Sequence, residues 1–232
     1  MTRVAIMQPT YLPWSGYFGL MQSVDLFVLL DTVQFARRSW QQRNQIKTAN
    51  GPIWLSVPVR SKGKRYQLIR DVEIERDAPF AHDRTVALNY AKASYYADFG
   101  PDIVSLLGHR FERLIDLNEA LINHLRRVLG IETEIVRASR FEDAGAKADR
   151  LAHICRQVGA REYVSPPGSK AYVSGSDAFD AIGVAVRYFA FDHPEHPQLF
   201  GPFDPYMSVI DLILNCGSEG AQMIRSASAL SS

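Results

Sequence analysis

The chain has only two cysteines, Cys155 and Cys216. That is too few for a disulfide scaffold or, by themselves, a four-cysteine zinc site. No apolar run approaches the ~18 residues needed to cross a bilayer, so no membrane span is expected. The opening stretch, Met1 to Pro9, has too short an apolar part for a secretory signal and lacks a small-residue cleavage site. Neither sign of charge dominates: Lys plus Arg is 26 and Asp plus Glu is 25, a net +1. This excludes a bulk polybasic binder of DNA or membrane and leaves room for a local basic patch. Also missing are Gly-x-Ser-x-Gly, His-Glu-x-x-His and Gly-x-Gly-x-x-Gly, the signatures of a hydrolase elbow, a zinc protease helix and a dinucleotide turn. There is no internal repeat, and the only low-complexity segment is the Ser226–Ser232 tail. What remains is 47% apolar and 22% charged, an ordinary globular composition. A folded protein of the cytoplasm is expected. The length of 232 residues suits one domain, or one with a substantial extension, at ~150 residues per domain.

The pattern predicts an α/β fold with a mostly parallel sheet flanked by helices. Val4-Ala5-Ile6-Met7 is a continuous apolar run, as in strands buried on both faces, and Pro9 and Pro13 end it. Trp14 to Ser23 fits a short helix with Ser15 as cap, and Leu26 to Leu30 reads as a second strand closed by Asp31. Strand, helix, strand in thirty residues is a βαβ unit, which builds parallel sheets. Ile53 to Val59 is a third strand, Ser61 to Arg65 a basic loop, and Leu68 to Ile74 a returning edge strand. Helices are expected from Pro79, with Asp77 as cap, to Ala93 and, with Pro101 at the first position, over Asp102 to Leu107. Another is expected over Phe111 to Leu129, where leucines recur at three- and four-residue spacing. The last third repeats the alternation. Ile131–Val136, Glu162–Val164 and Val184–Phe191 read as strands, and Ala146–Val158, Ala171–Ala181, Ser208–Asn215 and Ser218–Ser226 as helices. The reading is a single α/β domain over 1–232 with a helical insertion at roughly 77–130.

Ligands of open parallel sheets bind beyond the carboxyl ends of the strands. That rule selects the Gln8–Tyr17 turn, with Gln8, Thr10, Tyr11, Trp14, Gly16 and Tyr17 as contacts; the alternative is that prolines and aromatics merely stiffen the turn. It also selects Arg37 to Lys47, which holds four cations and no acid. Arg38, Arg43, Asn44 and Lys47 suit phosphate or carboxylate, and Trp40 suits stacking on a base or sugar. The competing reading is a solvated helix face, which would ordinarily mix signs. Asp31 is the candidate proton acceptor or ammonium clamp, against a helix cap, with Gln34 beside it as polar catalytic partner. Ser165, Gly168, Ser169, Lys170 and Tyr172 form a possible phosphate cradle without Walker spacing, or an ordinary turn. His193 to Pro197 invites a metal, but two prolines forbid a helix and no third ligand is near, so a surface loop without metal is expected. The cysteines fall on apolar helical faces and read as core.

Three blocks carry a resemblance. Gln8-Pro9-Thr10-Tyr11-Leu12-Pro13-Trp14-Ser15-Gly16-Tyr17-Phe18, Asp31-Thr32-Val33-Gln34-Phe35 and Ser39-Trp40-Gln41-Gln42-Arg43-Asn44 resemble the opening of the WbqC-like proteins. Trp54 to Val59, Tyr163-Val164-Ser165 and Ser208 to Gly217 extend the likeness over most of the chain, which departs from the family at Pro166, where the late motif carries glycine. The resemblance implies a link to bacterial O-antigen and polysaccharide gene clusters, and a role in transferring glycine or another amino acid to an amino sugar. A weaker analogy likens Trp14-Ser15-Gly16-Tyr17 to the His-x-Gly-His turn of nucleotidyltransferases of the HUP class, but both histidines are absent.

The expectation is therefore an aminoacyl, specifically glycyl, transferase acting on an amino sugar or sugar nucleotide. Its partner is a phosphorylated small molecule or sugar nucleotide; the donor is left open among ATP-activated amino acid, aminoacyl-tRNA and a carrier protein. No DNA partner is expected, ATP is the one candidate cofactor, and the oligomeric state is not readable. The alternatives are an ATP-dependent ligase or nucleotidyltransferase-like enzyme using Ser169 and Lys170, and a noncatalytic sugar-nucleotide-binding subunit.

Overall fold

A computed structural model describes residues 2–75 and 80–231. Its centre is a six-stranded sheet of β1 (Arg3–Met7), β2 (Leu26–Leu29), β5 (Glu134–Arg137), β6 (Glu162–Ser165), β7 (Ala185–Phe191) and β8 (Ser228–Ser231), in the order β5-β2-β1-β6-β7-β8. The first five pair in parallel and β8 returns antiparallel along β7. The remaining two strands, β3 (Arg43–Thr48) and β4 (Gly51–Ser56), form a separate antiparallel hairpin.

Alternation along the strands explains the layers, because successive side chains leave a sheet on opposite faces. Ala5, Phe27, Leu29, Val164 and Phe189 enter a core with α1 (Ser15–Gln22), α4 (Leu114–Val128) and α7 (Val209–Cys216). That core continues into α2 (His82–Tyr90), α3 (Tyr96–Gly108) and α8 (Glu219–Ser226). Val4, Ile6, Val28, Val136 and Tyr163 enter a second core under α5 (Ala148–Gln157), which also takes Val173 of the one-turn α6 (Lys170–Val173). The helices α2 to α4 lie between β4 and β5 in sequence and share the first core rather than standing apart from it. Neighbours change side around β1: β2 lies on one flank and β6 on the other, so the switch point falls between the carboxyl ends of β1 and β6.

Several expectations need correction. Residues 43–48 are a strand, not a helix face; a polar run shows no periodicity when its partner is a hairpin. Leu68–Ile74 is not a strand but a 3₁₀ turn at Ile69–Asp71 with isolated bridges. Trp14 occupies the cap position of α1 and Ser15 is its first helical residue. Helix α3 begins at Tyr96, so Pro101 lies inside it. The helix expected over 171–181 shrinks to α6 and a 3₁₀ turn at Asp180–Ile182. The serine tail contributes β8. The Asp77 cap and Pro79 lie outside the described residues. Among the described residues no helix is long and apolar enough to cross a membrane.

Candidate functional site

The eleven residues from Arg37 divide between two environments. The first is a cleft of about 340 Å³ lined by Arg37, Arg38, Gln42, Arg43, Ser56, Pro58, Val59, Ser61 and Glu75. Its loop is built by amide side chains: Gln41 Oε1 accepts from Ala36 N (3.0 Å) and Gln42 Oε1 from Arg38 N (3.0 Å). Ser39 Oγ donates to Ala36 O (2.6 Å). These bonds hold Arg38 at φ +57°, a left-handed conformation that costs an L-residue about 1–2 kcal/mol. Glycine would sit there without strain, so the guanidinium stands at a place the backbone does not favour. The loop reaches the carboxyl end of β1 twice, through Tyr11 N to Trp40 O (2.9 Å) and Gln41 Nε2 to Gln8 Oε1 (2.8 Å).

None of the three cleft arginines has an acidic partner among the described residues. Glu75, the acid of the cleft, pairs with Arg60 (3.4 Å). The Arg43 guanidinium lies over the Trp54 indole at 4.2 Å, and its Nε is buried without a hydrogen-bond partner. A buried N–H left unbonded costs about 1–3 kcal/mol, so this donor is poised for an acceptor that the chain does not supply. Trp40 packs on Trp54 with centroids 5.3 Å apart, and both indoles are exposed.

The second environment takes the other end of the same run. Lys47 is buried, with Nζ bonded to Gln198 Oε1 (3.0 Å) and Pro202 O and paired with Asp204 (3.3 Å). Asp211 lies beside it, accepting from Tyr90 OH (2.8 Å) and Gln198 Nε2 (2.7 Å) and facing His196 Nε2 (2.9 Å). Lys47 is thus withdrawn from the cleft, and residues 193–197 form a loop with Glu195 and Pro197 exposed and His196 buried. Asn44 is also internal: its Nδ2 donates to Leu12 O (2.6 Å), bracing Leu12 at φ +43°.

The β1 turn is mostly scaffold. Tyr11 and Tyr17 are fully buried, and burial pushes both phenols well above the ordinary tyrosine range. Tyr11 OH bonds His82 Nδ1 (2.7 Å); burial lowers that imidazole to about 4, with Asp83 acting weakly the other way. A Cβ on Gly16 would stand 2.3 Å from the Trp14 indole, so this glycine makes room for Trp14 rather than for a ligand. Trp14 in turn stacks near His193 (6.0 Å, 19°) beyond the end of β7. Burial lowers His193, leaving it neutral at pH 7. The Thr10 hydroxyl, also in this turn, is buried without a partner.

At the end of β2, Asp31 is fully buried and accepts from Ser139 N (2.9 Å) and Ser139 Oγ (2.7 Å), tying β2 to the turn after β5. The Thr32 hydroxyl beside it is buried and unpartnered. Gln34 is exposed and donates to Arg65 O (2.9 Å). In the late loop, Ser165 and Ser169 bond one another (2.8 Å) and Ser169 Oγ donates to Pro166 O (3.0 Å), so its hydroxyls are self-satisfied. Gly168 faces open space, Lys170 Nζ lies 4.9 Å from the Tyr188 ring, and Tyr172 is partly exposed. Among the described residues no three His, Cys, Asp or Glu side chains are grouped as metal ligands. Both cysteines are buried, and burial raises their thiols to about 12 at Cys155 and about 11 at Cys216, which keeps them protonated.

Of the expected residues, the structure joins Arg38 and Arg43 at one cleft, with Trp40 packed on Trp54 and the same loop bonded to Gln8. It separates Lys47, Asn44, Tyr11 and Tyr17 into the interior and leaves Lys170 and Tyr172 on α6. Sequence reading passed over Arg37 and Trp54 as contacts and missed Ser139 and the Asp211 network. Arg37 adjoins Arg38, so its signal was present; the others depend on pairings distant along the chain.

The profile of the WbqC-like protein family matches residues 8–223. The chain is also similar to the uncharacterized protein Rv1507c of Mycobacterium tuberculosis, at 38% identity over 228 residues, covering 97% of this chain and 98% of that protein. No solved structure matches.

Proposed function

The chain belongs to the WbqC-like protein family, and from that premise we propose that it is an aminoacyltransferase, acting with glycine, on a phosphorylated amino sugar of surface polysaccharide biosynthesis. The observation that carries the reading is the arginine cleft: three cations without acidic partners among the described residues, one with a buried unbonded Nε, on a loop bonded to the carboxyl end of β1. Guanidinium forks suit the oxygens of a phosphate or diphosphate, and Arg43 makes no hydrogen bond to the described residues that would compete with one.

In this reading Arg37, Arg38 and Arg43 hold the phosphate of the sugar substrate. The sugar amine attacks the donor carbonyl, the C–N bond forms, and the donor oxygen or sulfur departs with the electron pair. The amine must lose a proton in that step. That proton passes to Asp31, a buried carboxylate at the end of β2, through the exposed Ser139 hydroxyl bonded to it. Gln8, Gln34 and Thr10 supply polar contacts at the strand ends.

The test offers purified protein a UDP-linked amino sugar together with labelled glycine, supplied in turn as a thioester, as glycyl-tRNA, and free with ATP. The expected product is acid-stable labelled amide on the sugar, lost in Arg43→Ala. Binding of the sugar nucleotide with no transfer from any donor contradicts catalysis and points to a noncatalytic binding subunit. Transfer that requires ATP with free glycine points to a ligase.

A further inference from the structure

The cleft does not end at its arginines. Trp54 precedes the lining Ser56 by two residues and so stands on the same face of β4, while the lining Ser61 opens the basic loop on the other side. On that loop Lys62 and Arg65 have no acidic partner among the described residues, and Tyr66 is 77% exposed with the Arg65 guanidinium 5.8 Å from its ring. The loop is fixed against the cleft segment by Gln34 Nε2 to Arg65 O (2.9 Å) and Phe35 N to Gln67 O (2.9 Å). Among the described residues Arg37, Arg38, Arg43, Arg60, Lys62, Lys64 and Arg65 are accompanied here by Glu73 and Glu75, which pair with Arg60 and Lys64, while Asp71 pairs with Arg70. In a chain of net +1 this concentrates positive charge on one face.

We propose that this rim, with Trp40 and Trp54 on one side and Lys62, Arg65 and Tyr66 on the other, docks the single-stranded 3′ end of an RNA that carries the acyl donor. Exposed aromatics interleaved with unpaired cations are what single-stranded nucleic acid requires: rings for the bases and charge for the backbone. One mononucleotide in the cleft would leave most of these groups unused. A duplex hides its base faces and cannot use the indoles. A flat anionic membrane would meet the lysines but not the recessed Arg43 donor, whereas a flexible polynucleotide presents phosphates that enter a concave surface. The acyl-donor part of this inference rests on the function proposed above; the RNA surface does not.

The experiment measures fluorescence anisotropy of a short labelled single-stranded RNA ending in CCA, with the full chain. The same sequence as duplex and vesicles of anionic lipid serve as comparators. Single-strand binding is expected, weakening more than tenfold between about 50 mM and about 200 mM salt as several phosphate contacts are lost. Trp54→Ala and Trp40→Ala are each expected to weaken it by about tenfold, the scale of one lost base stack. Lys62→Glu should weaken binding and flatten the salt dependence, and thermal melts identify any variant that fails to fold. No RNA binding at the lower salt, equal binding by the tryptophan variants, or binding to vesicles and not RNA each overturns the proposal. Glycine transfer from a thioester without RNA binding overturns this inference alone. RNA binding without transfer from any donor overturns the enzymatic reading alone and leaves the RNA surface in place.

Discussion

Arg43 and Lys47 sit four residues apart in one strand and have opposite fates. The arginine keeps a buried Nε without a partner and faces a cleft shared with two more arginines that have no acidic partner among the described residues. The lysine is enclosed by Gln198, Pro202 and Asp204, next to the carboxylate of Asp211. A cation whose hydrogen bonds are filled by its own chain is scaffold, because a ligand would have to displace bonds already made. A cation with an unfilled donor gains from a ligand what the fold did not provide. Satisfaction, rather than charge, separates the two regions.

Four expected outcomes sharpen or break that comparison. The largest is in the satisfied region. Asp211→Ala leaves Tyr90, His196 and Gln198 without their common acceptor, and removing one member of such a buried network typically costs about 3–5 kcal/mol. Urea denaturation measures it; a loss below 1 kcal/mol, roughly the net worth of one hydrogen bond, would show the network to be incidental.

The second concerns His82, also interior. Its folded value near 4 lies below its ordinary 6.5 because burial disfavours the cation. Between those values the unfolded chain binds more protons, so stability falls as pH drops from 6.5 towards 4 and is unaffected by this group above that window. The full extent is on the order of 3 kcal/mol. In His82→Gln that component of the pH slope should vanish; an unchanged slope assigns it to other groups.

Third, Arg43→Ala should weaken a phosphorylated ligand by about 1.5–3 kcal/mol while changing folding stability by under about 1 kcal/mol. Calorimetry with a UDP-linked amino sugar and a thermal melt read the two halves. Unfolding with unchanged affinity would place Arg43 with the scaffold. The smallest effect is Arg38→Gly. Relief of the left-handed strain offsets the entropy that glycine loses, so stability holds or rises by up to about 1 kcal/mol while affinity drops. Destabilisation would mean that the arginine is there for the fold.

How far the sequence foretold this depends on how local each signal is. The apolar runs of β1 and β2, the leucine spacing of α4 and the α/β alternation are written within a few neighbouring residues, and the parallel sheet follows from them. Strand β3 was hidden because Arg43-Asn44-Gln45-Ile46-Lys47-Thr48 has no apolar alternation and pairs only with its hairpin partner. Strand β8 was hidden because serines carry no strand signal until β7 offers an edge. The site shows the same division. Arg38 and Arg43 announce themselves as a run of cations without acids, whereas Asp204 and Asp211 neutralise the end of that run from a distant loop and helix. Asp31 was legible as a strand-end carboxylate, but Ser139, which takes both its oxygens, was not.

The direct test follows the Arg43 Nε–H and Lys47 Nζ resonances by NMR while a UDP-linked amino sugar is added. A saturable shift at Arg43 with Lys47 unmoved is the predicted result. A shift at Lys47 with Arg43 silent would contradict the assignment of the open cleft as the ligand site and the buried network as its support.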